Sequence, residues 1–204
     1  TTAPVLPATT LASSCYQQMF YNCSSLTTAP ILPATTLADG CYSNMFHNCT
    51  SLTSTPALVA TSMENDCYRG MFSGCTSLTG VSENMLPSVN LAHSCYYRMF
   101  HGCTSLKTAP RLPAADLPSS CYLDMFSGCT SLTNAPALNA ETLAFHCYES
   151  MFKGCTSLTI APKLLATSLV DYCYWEMFSG CTNLSYVTML ATDIKATGCL
   201  NYWL

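Results

Sequence analysis

Fifteen cysteines and four histidines are the side chains of this 204-residue chain with the most chemistry to offer. The cysteines come in pairs eight positions apart, from Cys15 and Cys23 through Cys173 and Cys181, with Cys199 left over. A zinc site asks for two ligands two to four residues apart and a second such pair, and this spacing supplies neither. If the stretch between paired cysteines is helical, it separates them by roughly 10–12 Å of rise, whereas a disulfide needs Cα atoms within about 7 Å. The odd total also forbids complete pairing. Two ladders of buried free thiols acting as small hydrophobes are therefore the foremost reading, with scattered disulfides or a metal as alternatives. Cys199 is expected to be the thiol left partly open.

The other reactive types read as structural. His47 and His101 share one repeat position, at the expected end of a helix where a cation complements the helix dipole; His93 and His146 have no counterparts. Asn22, Asn48 and Asn183 head glycosylation sequons, but the first two have a capping task and are read as unmodified. No recurring Ser, His and Asp grouping suggests a nucleophile. No catalytic, cofactor-binding or metal-ligating residue is expected, and the chain is read as a non-enzyme.

What positions all these residues is a repeat. The phrase Cys-Tyr-x-x-Met-Phe-x-(Gly/Asn)-Cys-(Thr/Ser)-(Ser/Asn)-Leu occurs with leading cysteines Cys15, Cys41, Cys67, Cys95, Cys121, Cys147 and Cys173, and starts again, worn, at Cys199. A period near 26 residues marks a supersecondary unit that cannot bury its apolar face alone, so stacked neighbours share a continuous core. Residues 1–204 read as one solenoid of about seven units, with a degenerate last unit at about 185–204. The start at Thr1, one step after the leucine expected of a preceding unit, suggests a piece of a longer array.

Within a unit, Leu117, Cys121, Tyr122, Met125 and Phe126 fall at i, i+4, i+5, i+8 and i+9, the stripe of a helix. Before it stands Asp116, matched by Thr10, Thr36, Ser62, Asn90, Thr142 and Ser168, all competent N-caps. After it stands Gly128, matched by Asn22, Asn48, Gly74, Gly102, Gly154 and Gly180, residues that take a left-handed C′ position cheaply. An extended stretch with a recurrent proline follows, expected to stack as parallel strands of three to five residues interrupted at that proline. The predicted fold is α/β: a right-handed leucine-rich-repeat-like solenoid with short parallel strands inside and helices outside. Helices pack 8–10 Å apart and strands about 4.8 Å apart, so the stack is expected to curve by about 15° per unit.

The segment Met-Phe-x-Gly-Cys-Thr-Ser-Leu, followed by an apolar-Pro-x-Leu stretch, resembles the BspA-like leucine-rich repeats of surface proteins from anaerobic bacteria, over essentially the whole chain. That resemblance implies a leucine-rich-repeat fold and non-catalytic adhesion to host proteins, matrix or other cells. Two departures are visible: the units are a few residues longer than the commonest form, and the doubled cysteine is heavier than usual.

Composition narrows the partner. Only 9% of residues are charged, against about 25% in an average domain, and residues 1–38 carry no charged side chain. Seven basic against eleven acidic residues give no basic stripe for nucleic acid or an anionic membrane, and no apolar run is long enough to span a bilayer. Identical positions belong to the stack, so positions that vary are free to meet a partner. One variable column follows the proline and includes Arg111 and Lys163. A second lies two residues past the repeat leucine and includes Asn134, Ile160 and Tyr186. A third follows each Cys-Tyr and includes Tyr97, Arg98 and Trp175. The first two are expected on the inner face. The two-residue insertion within Gly80–Met85 replaces the usual proline step and should form a loop on the interaction side. The function expected is an extracellular or cell-surface recognition module binding a protein or glycan through that face. The alternative is a structural stalk or fibre, bacterial or virion, assembling with copies of itself through a charge-poor surface.

Overall fold

A computed structural model describes residues 3–204, so the register expected at Thr1 lies outside the described residues. The chain winds as a stack of coils. Equivalent positions of successive coils are joined by parallel backbone bridges such as Thr10 to Thr36, Ser62 to Asn90, Asp116 to Thr142 and Ser168 to Asp193.

The helix expected in each unit is absent. Cys15 donates its N–H to Ala12, Gln17 to Ser14, Met19 to Tyr16, Tyr21 to Gln18 and Cys23 to Phe20, each three residues back. Between them, Tyr16 donates to Cys41, Gln18 to Ser43, Phe20 to Met45 and Asn22 to His47, in the next coil. Every second N–H thus closes a β-turn and every other one bonds the neighbouring coil. The same alternation runs through the later units, with inter-coil bonds of 2.7–3.2 Å.

A left-handed residue recurs every four positions, as at Ser14, Gln18 and Asn22 or Gly40, Asn44 and Asn48, where it occupies the third place of alternate turns as a type II turn requires. Three such residues in nine break any run of bonds four residues back. The slot read as a C′ cap is correctly left-handed, with φ +73° at Gly74 and +75° at Gly128, but it is the third of a series and ends no helix. The N-cap slot likewise caps nothing; its residues form the single parallel bridges.

Strands are shorter than expected too. Parallel pairing is confined to isolated bridges such as Leu32 to Leu58 and Asn134 to Ile160, because the extended stretch carries a proline that lacks an N–H. Without helices 8–10 Å apart, the spacing mismatch that predicted a curve of about 15° per unit no longer exists.

Burial nonetheless follows the sequence reading. Cys121, Met125 and Phe126 are fully buried, and Leu117 packs half-buried against the core. The phenylalanines from Phe20 to Phe178 stack with ring centroids 5.4–5.8 Å apart and planes within 9°. The tyrosines from Tyr16 to Tyr174 stack 5.7–6.1 Å apart. Coils this close set each ring on its copy, and the repeat leucines Leu52, Leu78, Leu106, Leu132 and Leu158 fill the interior beside them.

Candidate functional site

The ladder of second cysteines has a structural task. Cys49 donates its S–H to the carbonyl of Phe20, Cys75 to Phe46, Cys103 to Phe72, Cys129 to Phe100, Cys155 to Phe126 and Cys181 to Phe152, at 3.0–3.1 Å. That carbonyl also accepts the N–H of its own unit's second cysteine, as Phe20 does from Cys23. A donating thiol is protonated and reduced, and burial reinforces this, pushing Cys41 and Cys49 up to about 11 and Cys95 and Cys103 up to about 12. All fifteen cysteines are free. Among the described residues no group of three or more His, Cys, Asp or Glu side chains is placed to hold a metal ion.

One thiol expectation is reversed. Cys199 is buried, at 4% exposure, within the turns of residues 197–202, whereas Cys15 and Cys23 are exposed and Cys181 is half-buried. Iodoacetamide at neutral pH should label Cys15 and Cys23 rapidly, Cys181 slowly and the remaining cysteines only after unfolding. Peptide mass spectrometry of the native chain checks this; rapid labelling at Cys103 or Cys129 would contradict the ladder.

The histidine expectation is also corrected. With no helix end to complement, His47 and His101 lie half-buried, and each has a buried Nδ1 without a hydrogen-bond partner among the described residues. Burial first, then the neighbouring charges of His101 on His47 and of Arg98 on His101, hold them below the ordinary histidine value; only Asp124 pulls His101 the other way. Both are neutral at physiological pH. Threonine hydroxyls ladder between coils: Thr130 donates to the carbonyl of Thr104, and Thr156 to that of Thr130.

The candidate partner-binding residues occupy four separate places. Arg111 stands on the proline edge, paired to Glu83 through Nε at 3.1 Å with both side chains 70% exposed; its N–H meets the Glu83 carbonyl at 2.8 Å. So open an ion pair contributes little stability. Lys163, two coils on, is exposed and has no ion-pair partner among the described residues. Asn134 and Ile160 are brought together by a parallel bridge, with Ile160 48% exposed. Tyr186 lines an apolar hollow with Phe178, Leu184, Val187 and Trp203. Tyr97 and Arg98 sit together on the turn face, where the guanidinium groups of Arg69 and Arg98 lie 4.6 and 5.1 Å from the Tyr97 ring centre. Arg98 also reaches Asp124 at 2.9 Å. Trp175 is half-buried further along the same face, 5.2 Å from Tyr172.

The insertion has the effect expected of a loop. Met85 and Leu86 are drawn into the core, while buried Ser88 donates its hydroxyl to the carbonyl of Thr61 in the preceding coil and accepts the Asn90 N–H. Residues 82–84 are left exposed, with a concavity on either side. The smaller, about 340 Å³, is walled by Pro56, Leu58, Gly80 and Asn84. The larger, about 730 Å³, lies between Asn84, Pro87, Arg111, Pro113, Pro136 and Asn139. Sequence reasoning singled out Arg111 and the insertion separately; that they face one hollow is visible only in three dimensions.

Among the described residues no helix is long and apolar enough to cross a membrane. No curated protein matches the chain. A solved structure of a leucine rich cell surface protein from Faecalibacterium prausnitzii A2-165 aligns with 88% of this chain and 69% of its own, at 17% identity. Its TM-score of 0.24 is too low for any geometry to be carried across. The BspA type leucine rich repeat region matches in six copies, over residues 6–110, 43–161 and 71–198. Those matches take in the stacked coils from the first buried leucine to the last turn, and the chain belongs to the BspA-type leucine-rich repeat family.

Proposed function

We propose that the chain is a non-enzymatic recognition module of a cell surface or extracellular protein, binding a protein or glycan along its proline edge. The observation that carries this reading is the insertion hollow. In a stack whose other steps repeat with little change, residues 80–85 break the period and open a concavity beside Arg111 and Glu83, two charges in a charge-poor chain. Four prolines give that hollow rigid apolar walls, and Asn84 and Asn139 add amides, the mixture of apolar surface and a few fixed polar groups that suits a binding site. Membership of a family of surface repeat proteins supports the same reading, and Asn134, Ile160 and Lys163 extend the edge beyond the hollow.

The test is binding of the purified chain to panels of immobilised matrix proteins and glycans, with Arg111→Glu and Lys163→Glu variants beside the parent chain. A saturable interaction weakened about tenfold or more by Arg111→Glu, with the fold unchanged by circular dichroism, is expected. Absence of binding across the panels, together with concentration-dependent filaments in sedimentation, would instead favour the stalk reading.

A further inference from the structure

The turn face changes character along its length. In the first three coils its outward slots are polar, and Ser14, Gln17, Asp39, Asn44 and Asn65 border a shallow hydrophilic hollow. Over the last three coils the same slots carry rings. Phe145 stands two before its leading cysteine, His146 and Tyr172 one before, Trp175 two after and Tyr202 three after. Phe145 is 48% exposed and Tyr202 69%, and the others are half-buried. They form one continuous surface: Phe145 to Tyr172 is 5.8 Å, His146 to Tyr172 5.0 Å, Tyr172 to Trp175 5.2 Å and Trp175 to Tyr202 5.9 Å. None of these rings serves the core columns, so burial of the chain's own apolar surface does not account for them.

Two observations narrow the occupant. The first is charge. Residues 145–202 carry four acidic side chains, Glu149, Asp171, Glu176 and Asp193, against three lysines, Lys153, Lys163 and Lys195, and Glu176 holds Lys153 at 2.6 Å. Glu149 is paired with His146. Asp171 accepts the Thr197 N–H at 2.7 Å and has no cationic partner among the described residues. The second is an internal precedent. Tyr97 occupies the slot of Trp175 three coils earlier, and two guanidinium groups lie over it. At Trp175, a better cation–π partner than tyrosine, no Arg or Lys of the described residues does so. Tyr172 is covered by the near-parallel His146 ring at 13° and packs against Gly198 of the next coil, while Trp175 and Tyr202 are inclined by 66° and so form no flat platform for a sugar ring.

We propose that the aromatic surface of Phe145, Tyr172, Trp175 and Tyr202, bordered by Asp171, is a docking site for an arginine- or lysine-bearing segment of a partner protein. It is independent of the hollow beside Arg111. Each cation sits over a ring face, with Asp171 supplying the counter-charge.

Replacing Trp203 by Phe leaves Trp175 as the sole tryptophan, because the chain has two. Titration with a hexa-arginine peptide should quench its fluorescence saturably, and affinity should fall as salt is raised. By calorimetry on the otherwise unaltered chain, Trp175→Leu should weaken peptide binding about tenfold and Asp171→Asn about threefold. An N-acetylglucosamine oligosaccharide should produce no quenching. Peptide affinity undiminished in a Trp175→Leu, Tyr172→Leu double variant that retains the parent circular dichroism would overturn the proposal. So would saturable binding of the oligosaccharide alone.

Discussion

Raising the pH from about 8 to about 10 should unfold this chain. Thirteen of its thiols are held above the ordinary value of 9.0, in every case by burial first. Cys147 stands at about 12, and Cys173 and Cys181 at about 11. Below 9.0 a thiol is protonated in both states and stability does not depend on it. Above 9.0 the unfolded chain releases protons that the fold retains, so the unfolded state binds fewer and stability falls as pH rises. The loss continues until the folded values are reached. Each buried thiol costs about 1.4 kcal/mol per pH unit in that window, and so many together outweigh the 5–15 kcal/mol typical of a whole domain within about one unit. Tyr42, Tyr68 and Tyr96, raised by the same burial, add to the slope above 10.0. Thiolate absorbance and circular dichroism followed through one alkaline titration should change together, in a steep multi-proton step. A native spectrum at pH 10.5 with thiolates already formed would show that the ladders are not held as described.

Truncating one ring of the phenylalanine stack is expected to be the costliest single change. Phe126 is fully buried and lies 5.7 Å from Phe100 and 5.8 Å from Phe152. Phe126→Ala removes a large apolar side chain and leaves a cavity that two flanking rings cannot fill without abandoning their own stacks, a loss of about 3–5 kcal/mol. Because coils contact only their neighbours, the damage should be local. Hydrogen exchange should show protection lost at the amides of Phe100, Phe126 and Phe152, with Phe46 little changed. Urea denaturation gives the magnitude, and a loss below about 1 kcal/mol would mean that the stack is not continuous.

The two predictions rest on features that were not equally legible. The period and the buried positions could be read directly, because Cys, Tyr, Met, Phe and Leu recur in all seven full units at slots that are interior from the second coil onward, save at Cys181 and Leu184 near the end. The backbone joining them could not. An apolar stripe at i, i+4, i+5, i+8 and i+9 fits a helix with 3.6 residues per turn over so short a span, and fits a strict repeat of four equally well. What separates the two is the left-handed slots. Gly40, Asn44 and Asn48, then Asp66, Gly70 and Gly74, place turn-forming residues at three positions four apart, a pattern that a helix interior disfavours and a chain of type II turns requires. Other units fill those slots with Gln18, Arg98 or Glu176, and the signal fades. The aromatic patch was half visible: Trp175 stood out as a variable residue, but its contact with Tyr172 and Tyr202 depends on how closely the coils stack.

That close stacking also gives the solenoid an electrical direction. On the turn side every backbone-to-backbone bond between coils runs the same way, from an N–H of one coil to a carbonyl of the next, as from Phe20 to Met45 and from Phe126 to Met151. On the opposite side the bonds run both ways: Leu164 donates forward to Thr188, and Leu190 donates back to Leu164. The aligned peptide dipoles of the turn face therefore sum along the axis, positive toward Leu204, the reverse of the sense in an α-helix, whose N–H groups point to its N-terminus. Two such arrays lying side by side would attract when antiparallel and repel when parallel, a bias that the backbone supplies before any side chain takes part.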